Sequence, residues 1–559
     1  MIASGSLEED RNHHPESVQD TLKTATQRTM LTIYLRDYYS QYYGHHPGRI
    51  RSLMSDMRHD DAVDVTEMID YWVHVDGAEL QPVDLSENES RTLQPYIRED
   101  APIATQLSWP RTCLTVSSKN ITSSPDGTRR LVDLPCSLSS FHGQLRFTRR
   151  ALNSADDSLF FHLNQLRSLG LQWRPGVLSD QPPNTDEEFY HLTSLRSLNM
   201  RTMYRTTITD RAFTHLMNLQ SLSMHSCHQS SITDEAFRPL SNLQFLRLCV
   251  CQKSTLTDRA FCHLANLKSL NISGCTQLTI TNEAFRHLTN LQSLDMGYCN
   301  QVTITDEAFR HLASLKFLNI IRCTQSTITD EAFCHLPNLH TLNIIRCTQS
   351  TITDEAFCHM TNLQALNMSG CTQSTITDRA FLHLTKLQSL NMSKCNQLDI
   401  TDRAFRQLTN LQSLNMRRCT HLVNSSEAFL YLTKLQSLDI SACTQSTITD
   451  EIFQYLTSLQ SLDVSECTQT TLTDEAFRPL TNLHSLNISG CTLSRITNEA
   501  FSHLRKLKAL NMSRCTQSTI TDEAFCHLTN LQSLNIFECT LTSTDETLRH
   551  LPNLRSLIH

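Results

Sequence analysis

The sequence predicts a solenoid of the α/β class, a stack of short units that each hold one strand and one short helical segment. Three observations carry this. Fourteen cysteines, Cys227, Cys251, Cys275, Cys299, Cys323, Cys347, Cys371, Cys395, Cys419, Cys443, Cys467, Cys491, Cys515 and Cys539, follow one another at gaps of 24 residues. A phenylalanine ladder from Phe189 to Phe525 keeps the same gap. Within one unit, residues 288–311, Leu294 and Met296 alternate with polar residues, the mark of a short strand with one buried face.

The elements of that unit follow in order. Leu291, Leu294 and Met296 are the buried positions of the strand. Cys299 marks the point where the chain leaves the sheet, and Ile304 returns to the core. Thr305, Asp306 and Glu307 then offer a capping oxygen and first-turn acids to a short helix or 3₁₀ segment. Ala308, Phe309 and Leu312 supply its buried side. One unit cannot bury its own apolar face, so neighbours must stack into a continuous core with a parallel sheet along the inner side. A perfect period places every cysteine at one structural position, unlike a disulfide framework. The thiols are therefore expected reduced, packed as small hydrophobes and donating weakly to loop carbonyls. Together with an opening, MIASGSLEEDRNHH, that has no apolar signal segment, this predicts an intracellular, cytoplasmic protein.

The phrase L-x-x-L-x-L-x-x-C resembles the leucine-rich repeat family over about residues 152–559, with roughly 17 strand positions from Leu169 to Leu557. The resemblance implies an arc with a parallel β-sheet on the concave side and short helices or 3₁₀ segments on the convex side. It also implies a protein-binding role for the concave face. The I-T-D phrase and the cysteine look like the cysteine-containing class found in F-box receptor proteins. Two features depart from that class: the position two after the cysteine is mostly Gln, as in Gln277 and Gln301, and the helical arm is shorter.

The rest of the chain is read by composition. Formal net charge is -8, so it is no basic chain of the kind that wraps nucleic acid. No stretch approaches the roughly 18–20 apolar residues that span a bilayer. Residues 1–29 are expected to be a disordered tail. Residues 30–150 form an aperiodic, acidic region of unknown fold, with a helix expected at 30–44. Residues 56–100 hold 13 acids against three Arg, as a solvated face or a docking surface for a basic partner. An F-box opening is absent; Leu134-Pro135-Cys136 is the nearest match and lacks the continuation. The last unit is one residue short and stops inside a strand at Leu557-Ile558-His559, which predicts either truncation or an edge that meets a partner.

Phosphate-loop, dinucleotide and metalloprotease motifs are absent, so the chain is expected to be non-enzymatic and free of cofactors. A histidine column two residues after the phenylalanines meets Cys334-His335 and Cys358-His359 in adjacent units; a surface column copied with the repeat is favoured over a zinc set. Threonine columns in C-T-Q-S-T-I-T resemble ice-binding arrays, but threonine also suits tight turns. The inner face is mostly Ser and Asn. Against that background Phe245, Arg247, Val250, Tyr298, Phe317, Ile321, Arg322, Ile345 and Arg346 stand out, with a second, basic group at Lys394, Arg417 and Arg418. Aromatic residues and Arg are the types that anchor interfaces. These residues predict a protein-interaction scaffold with one face for a protein partner. The alternative is a substrate receptor whose N-terminal region docks a ubiquitin-ligase adaptor.

Overall fold

A computed structural model of the 559-residue chain describes residues 186–558, apart from His191 and short stretches between each strand and the next helical segment, together with five strands before residue 186. The tail expected to be disordered, the helix expected at 30–44, the acidic stretch 56–100 and any adaptor-binding unit fall outside the described residues, as do Cys227, Val250 and Cys251.

The chain divides into two units, Met1–Leu248 and Cys249–His559. In the first, strands Cys113–Val116, Gln144–Phe147, Ser168–Gln172, Ser197–Arg201, Ser221–Ser223 and Phe245–Arg247 pair in parallel in that order. A separate antiparallel pair joins Ile121–Ser123 to Arg129–Leu131. In the second unit, strands run from Ser269–Asn271 through Ser293–Asp295, Phe317–Asn319 and Thr341–Asn343 to Ser556–Ile558. Each of these pairs in parallel with the next in sequence, so Leu270, Leu294, Leu318 and Leu342 align across the sheet. Parallel neighbours need a crossover connection, and the rest of each repeat supplies it.

The crossover is mostly a four-residue 3₁₀ segment such as Asp306–Phe309; in two repeats it is α-helical, at Asp330–Cys334 and Glu355–Cys358. The preceding threonine is extended and caps the segment: Thr329 Oγ1 accepts from the Glu331 amide at 3.3 Å. After the segment, two tight turns return the chain to the sheet, with the Leu312 amide donating to Phe309 and the Leu315 amide to Leu312. Phe309, Leu312, Leu315, Leu318, Ile320 and Cys323 are at most 1% exposed, and Phe333, Leu336, Leu339, Leu342, Ile344 and Cys347 repeat them in the next unit. Full burial of a Phe or Leu side chain stabilises by about 1.5–3 kcal/mol, so the core stabilises each repeat only where a neighbour covers it.

Polar bonds at fixed offsets stitch neighbours together. Asp306 receives the Thr329 amide at 2.7 Å on one oxygen and the Thr329 hydroxyl at 2.8 Å on the other. Asp210–Thr233, Asp258–Thr281, Asp330–Thr353, Asp354–Thr377 and Asp474–Thr497 repeat this clamp. The I-T-D phrase thus serves two junctions: its threonine faces back and its aspartate faces forward. Where Asn282 and Asn498 replace the acid, the amide nitrogen donates to the threonine hydroxyl of Thr305 and Thr521 instead. Neither of those threonines then caps its own segment with its side chain. The asparagine of the T-N-L phrase donates to a carbonyl 25 residues earlier, as Asn290 does to Ala265. Where lysine replaces it, Lys386 and Lys434 donate to Asn362 and Asn410.

Candidate interaction face

The exposed rows of the sheet end in a repeated turn. In the described turns of the second unit other than those at Cys443 and Cys467, the cysteine amide donates to the residue three before it, as Cys323 does to Ile320 at 3.1 Å. The residue before the cysteine has φ between +53° and +69°, a conformation that favours glycine. Glycine fills it at Gly274, Gly370 and Gly490; elsewhere it is Tyr298, Arg322, Arg346, Lys394, Arg418, Ala442, Glu466, Arg514 or Glu538. Two sets of bonds hold these side chains in that strained region. The strand-end asparagine or aspartate accepts from the amide two residues on, as Asn319 does from Ile321 at 3.1 Å and Asp295 from Gly297 at 3.0 Å. The left-handed residue donates its own amide to the next repeat, as Arg322 does to Ile345 at 2.9 Å.

The structure brings the sequence-derived candidates to three kinds of place. Phe245 and Arg247 lie in a strand of the first unit, and Phe317 in a strand of the second; all three are half-buried. Ile321, Ile345 and Arg417 stand just past their strands, because the strands are only three residues long. Tyr298, Arg322, Arg346, Lys394 and Arg418 all occupy the left-handed position and are exposed. They form a turn-edge column, not a strand column as the sequence had implied. Arg322 lies over the Tyr298 ring, 5.5 Å from its centroid. A Cβ on Gly370 would stand 3.0 Å from Arg346 Cγ, so the arginine stem crosses the glycine. Sequence reading missed Glu466 and Phe537 in the same rows, and exposed Leu430, Tyr431 and Tyr455 on the helical side. The glycines at 274, 370 and 490 were the available signal for the left-handed column.

Charge divides this face. From Lys268 to Arg418 the exposed rows carry Lys268, Lys316, Arg322, Arg346, Lys394, Arg417 and Arg418 against Asp295 alone. Beyond them stand Asp439, Asp463, Glu466 and Glu538 together with Lys508, Arg514 and Arg555, and Glu538 pairs with Arg514 at 3.1 Å. Asp439 and Asp463 are direct partners in adjacent strands. Burial, and then the charge of Asp463, push the Asp439 carboxyl above the usual range.

The cysteines of the ladder are structural in their bonding. Cys299, Cys323 and Cys347 donate from sulfur to the Ile272, Met296 and Ile320 carbonyls of the preceding repeat at 3.0–3.1 Å. Those carbonyls already accept the turn amide, so one thiol ties two turns together. Burial pushes all three thiols up to about 12. On the helical side Cys334 and Cys358 turn back to the Asp330 and Asp354 carbonyls at 3.6 Å. Among the described residues no three His, Cys, Asp or Glu side chains gather as metal ligands. The threonine columns are occupied internally: Thr327 and Thr351 donate to the Ile304 and Ile328 carbonyls. No described helix is long and apolar enough to cross a membrane.

Comparison with known proteins agrees with this geometry. The leucine rich repeat family matches residues 433–493, 458–516 and 481–541, and the BspA type leucine rich repeat region matches 185–292 and 326–445. No curated protein matches the chain. Among solved structures, a Leptospira interrogans leucine-rich repeat protein is similar with a TM-score of 0.57 and 23% identity, over 71% of this chain and 97% of that one. The TLR13–ssRNA13 complex is similar with a TM-score of 0.52 and 24% identity over 74% of this chain, and a Drosophila Toll–Spatzle complex with 0.56 and 18% over 71%. The chain spans 62% and 58% of those two chains. Repeat length, sheet, turn and family matches coincide, and the chain belongs to the leucine-rich repeat family.

Proposed function

We propose that the chain is a non-enzymatic scaffold that holds a protein partner on the exposed sheet face and turn edge. The single observation that supports this most is the contrast between two surfaces. On the helical side, Arg286, Arg310 and Arg478 are each paired with a glutamate three residues before them, and the threonines and asparagines bond between repeats. On the turn edge, Tyr298 and a row of cations project outward from backbone that costs free energy to hold. Large aromatics and arginines on a rigid frame are what protein interfaces use. Solved relatives of this fold carry bound macromolecules, Spatzle in one case and single-stranded RNA in another.

The test is affinity capture from the native cell with the full chain and with Phe245→Ala plus Tyr298→Ala. The variant is expected to fold and to lose at least tenfold in partner recovery. Unchanged recovery refutes the face. Co-purification of ligase adaptors by the full chain alone, and not by a chain lacking residues 1–150, would favour the substrate-receptor reading instead.

A further inference from the structure

Resting on that reading, we propose that the turn edge from Arg322 to Arg418 is a docking track for an extended acidic segment of a protein partner. Arg322, Arg346, Lys394 and Arg418 stand at one position of the repeat, in the same left-handed conformation and all exposed. Arg417, half-buried, stands beside Arg418 at the far end and already meets the charge of Asp439. The repeat between Arg346 and Lys394 has Gly370 at this position, and the Arg346 stem lies across it, with Nε 3.8 Å from where a Cβ would be. The gap in the column is thus spanned by its neighbour.

None of the described ion pairs involves Arg322, Arg346, Lys394 or Arg418, whereas Arg238, Arg286, Arg310, Arg406 and Arg478 of the helical side have acids within reach. The nearest acids in the same rows lie at the two ends, Asp295 and Asp439. Charge complementarity therefore calls for an anion supplied from outside. Steps of about 4.8 Å between parallel strands give a track of roughly 19 Å, the reach of about six extended residues. Ile321 and Ile345, half-buried beside the first two arginines, offer apolar contacts between the charges. They favour a peptide over a nucleic acid strand, whose bases stack on aromatic faces; the Tyr298 ring at the head of the track already lies under Arg322.

The experiment uses the full chain against immobilised octapeptides containing zero to six Asp or Glu. Retention should climb with acid count, and the best peptide, labelled with fluorescein, should bind several-fold more weakly at 0.5 M than at about 0.05 M salt. Arg346→Glu combined with Arg418→Glu should weaken that peptide more than tenfold. Glu466 and Glu538 already occupy this backbone conformation, so the reversed side chains are compatible with the turn. No dependence on acid count, or unchanged affinity of the double variant, overturns the proposal. So does tighter binding of a single-stranded RNA oligonucleotide that the double variant loses. If the native partner is lost on Tyr298→Ala and Phe245→Ala but kept by the charge reversal, the scaffold stands and the acidic track falls. If neither change matters, the interaction face itself is wrong.

Discussion

Replacing Asp306 tests whether the repeats are held together by the carboxylate clamp. Asp306→Ala leaves the Thr329 amide and hydroxyl without their acceptor. Hydrogen bonds to a charged group contribute about 1.5–3 kcal/mol each, and the site is only part-buried, so the junction should lose about 3 kcal/mol. Asp306→Asn should cost less, about 1 kcal/mol, because Asn282 already serves the preceding junction. Its amide should turn the Thr329 hydroxyl around and remove the 3.3 Å cap on Glu331. Contacts in a stack are between neighbours, so a local probe is better than a melting curve. Amide hydrogen exchange at Thr329 and Glu331 is that probe. With Ala both amides should exchange faster. With Asn the Glu331 amide should lose more protection than Thr329. Equal effects of Ala and Asn, or no local effect of either, would refute the clamp.

Three further outcomes follow from the geometry. Asp439 has its folded value raised by burial and then by Asp463. Its ionisation therefore costs stability, a cost absent below the unfolded value of about 4 and present as pH rises through the folded value. Asp439→Asn should stabilise at pH 7 by on the order of 1 kcal/mol, and urea titrations should show the gain fading toward pH 4. Iodoacetamide at pH 8 should label exposed Cys262 and Cys334 well before Cys299, Cys323 and Cys347, as peptide mass mapping would read. Gly370→Ala adds a side chain at φ +69° and within 3.0 Å of Arg346; it should destabilise by about 1–2 kcal/mol in denaturant unfolding.

The period, the strand faces and the capped segment were legible because each is a local pattern. Leu294 and Met296 alternate, and Thr329 stands two residues before the amide it caps. The forward reach of Asp306 to Thr329 was not legible, since a bond across 23 residues leaves no local trace. Sequence reading assigned that aspartate to its own first turn. The candidate residues were found by their departure from Ser and Asn. Their common backbone conformation was hidden because Tyr298, Arg322 and Lys394 do not look like glycine positions. Only comparison with Gly274, Gly370 and Gly490 at the same place exposes it. Phe537 escaped notice because it lies far along the chain from the other exceptions.

The left-handed turn has a consequence for how such a chain can change over generations. Its shape is held by a strand-end Asn or Asp that accepts from the amide two residues on, in turns whose left-handed residue is Gly, Tyr, Arg, Lys, Ala or Glu. A mutation there rewrites one character of the surface and leaves the frame as it was. Duplication of 24 residues adds one more rung in register, and the two N-I-I-R-C copies from Asn319 and Asn343 are what such an event leaves behind. Reach and chemistry can therefore be altered separately, the first by copying a unit and the second by a single codon.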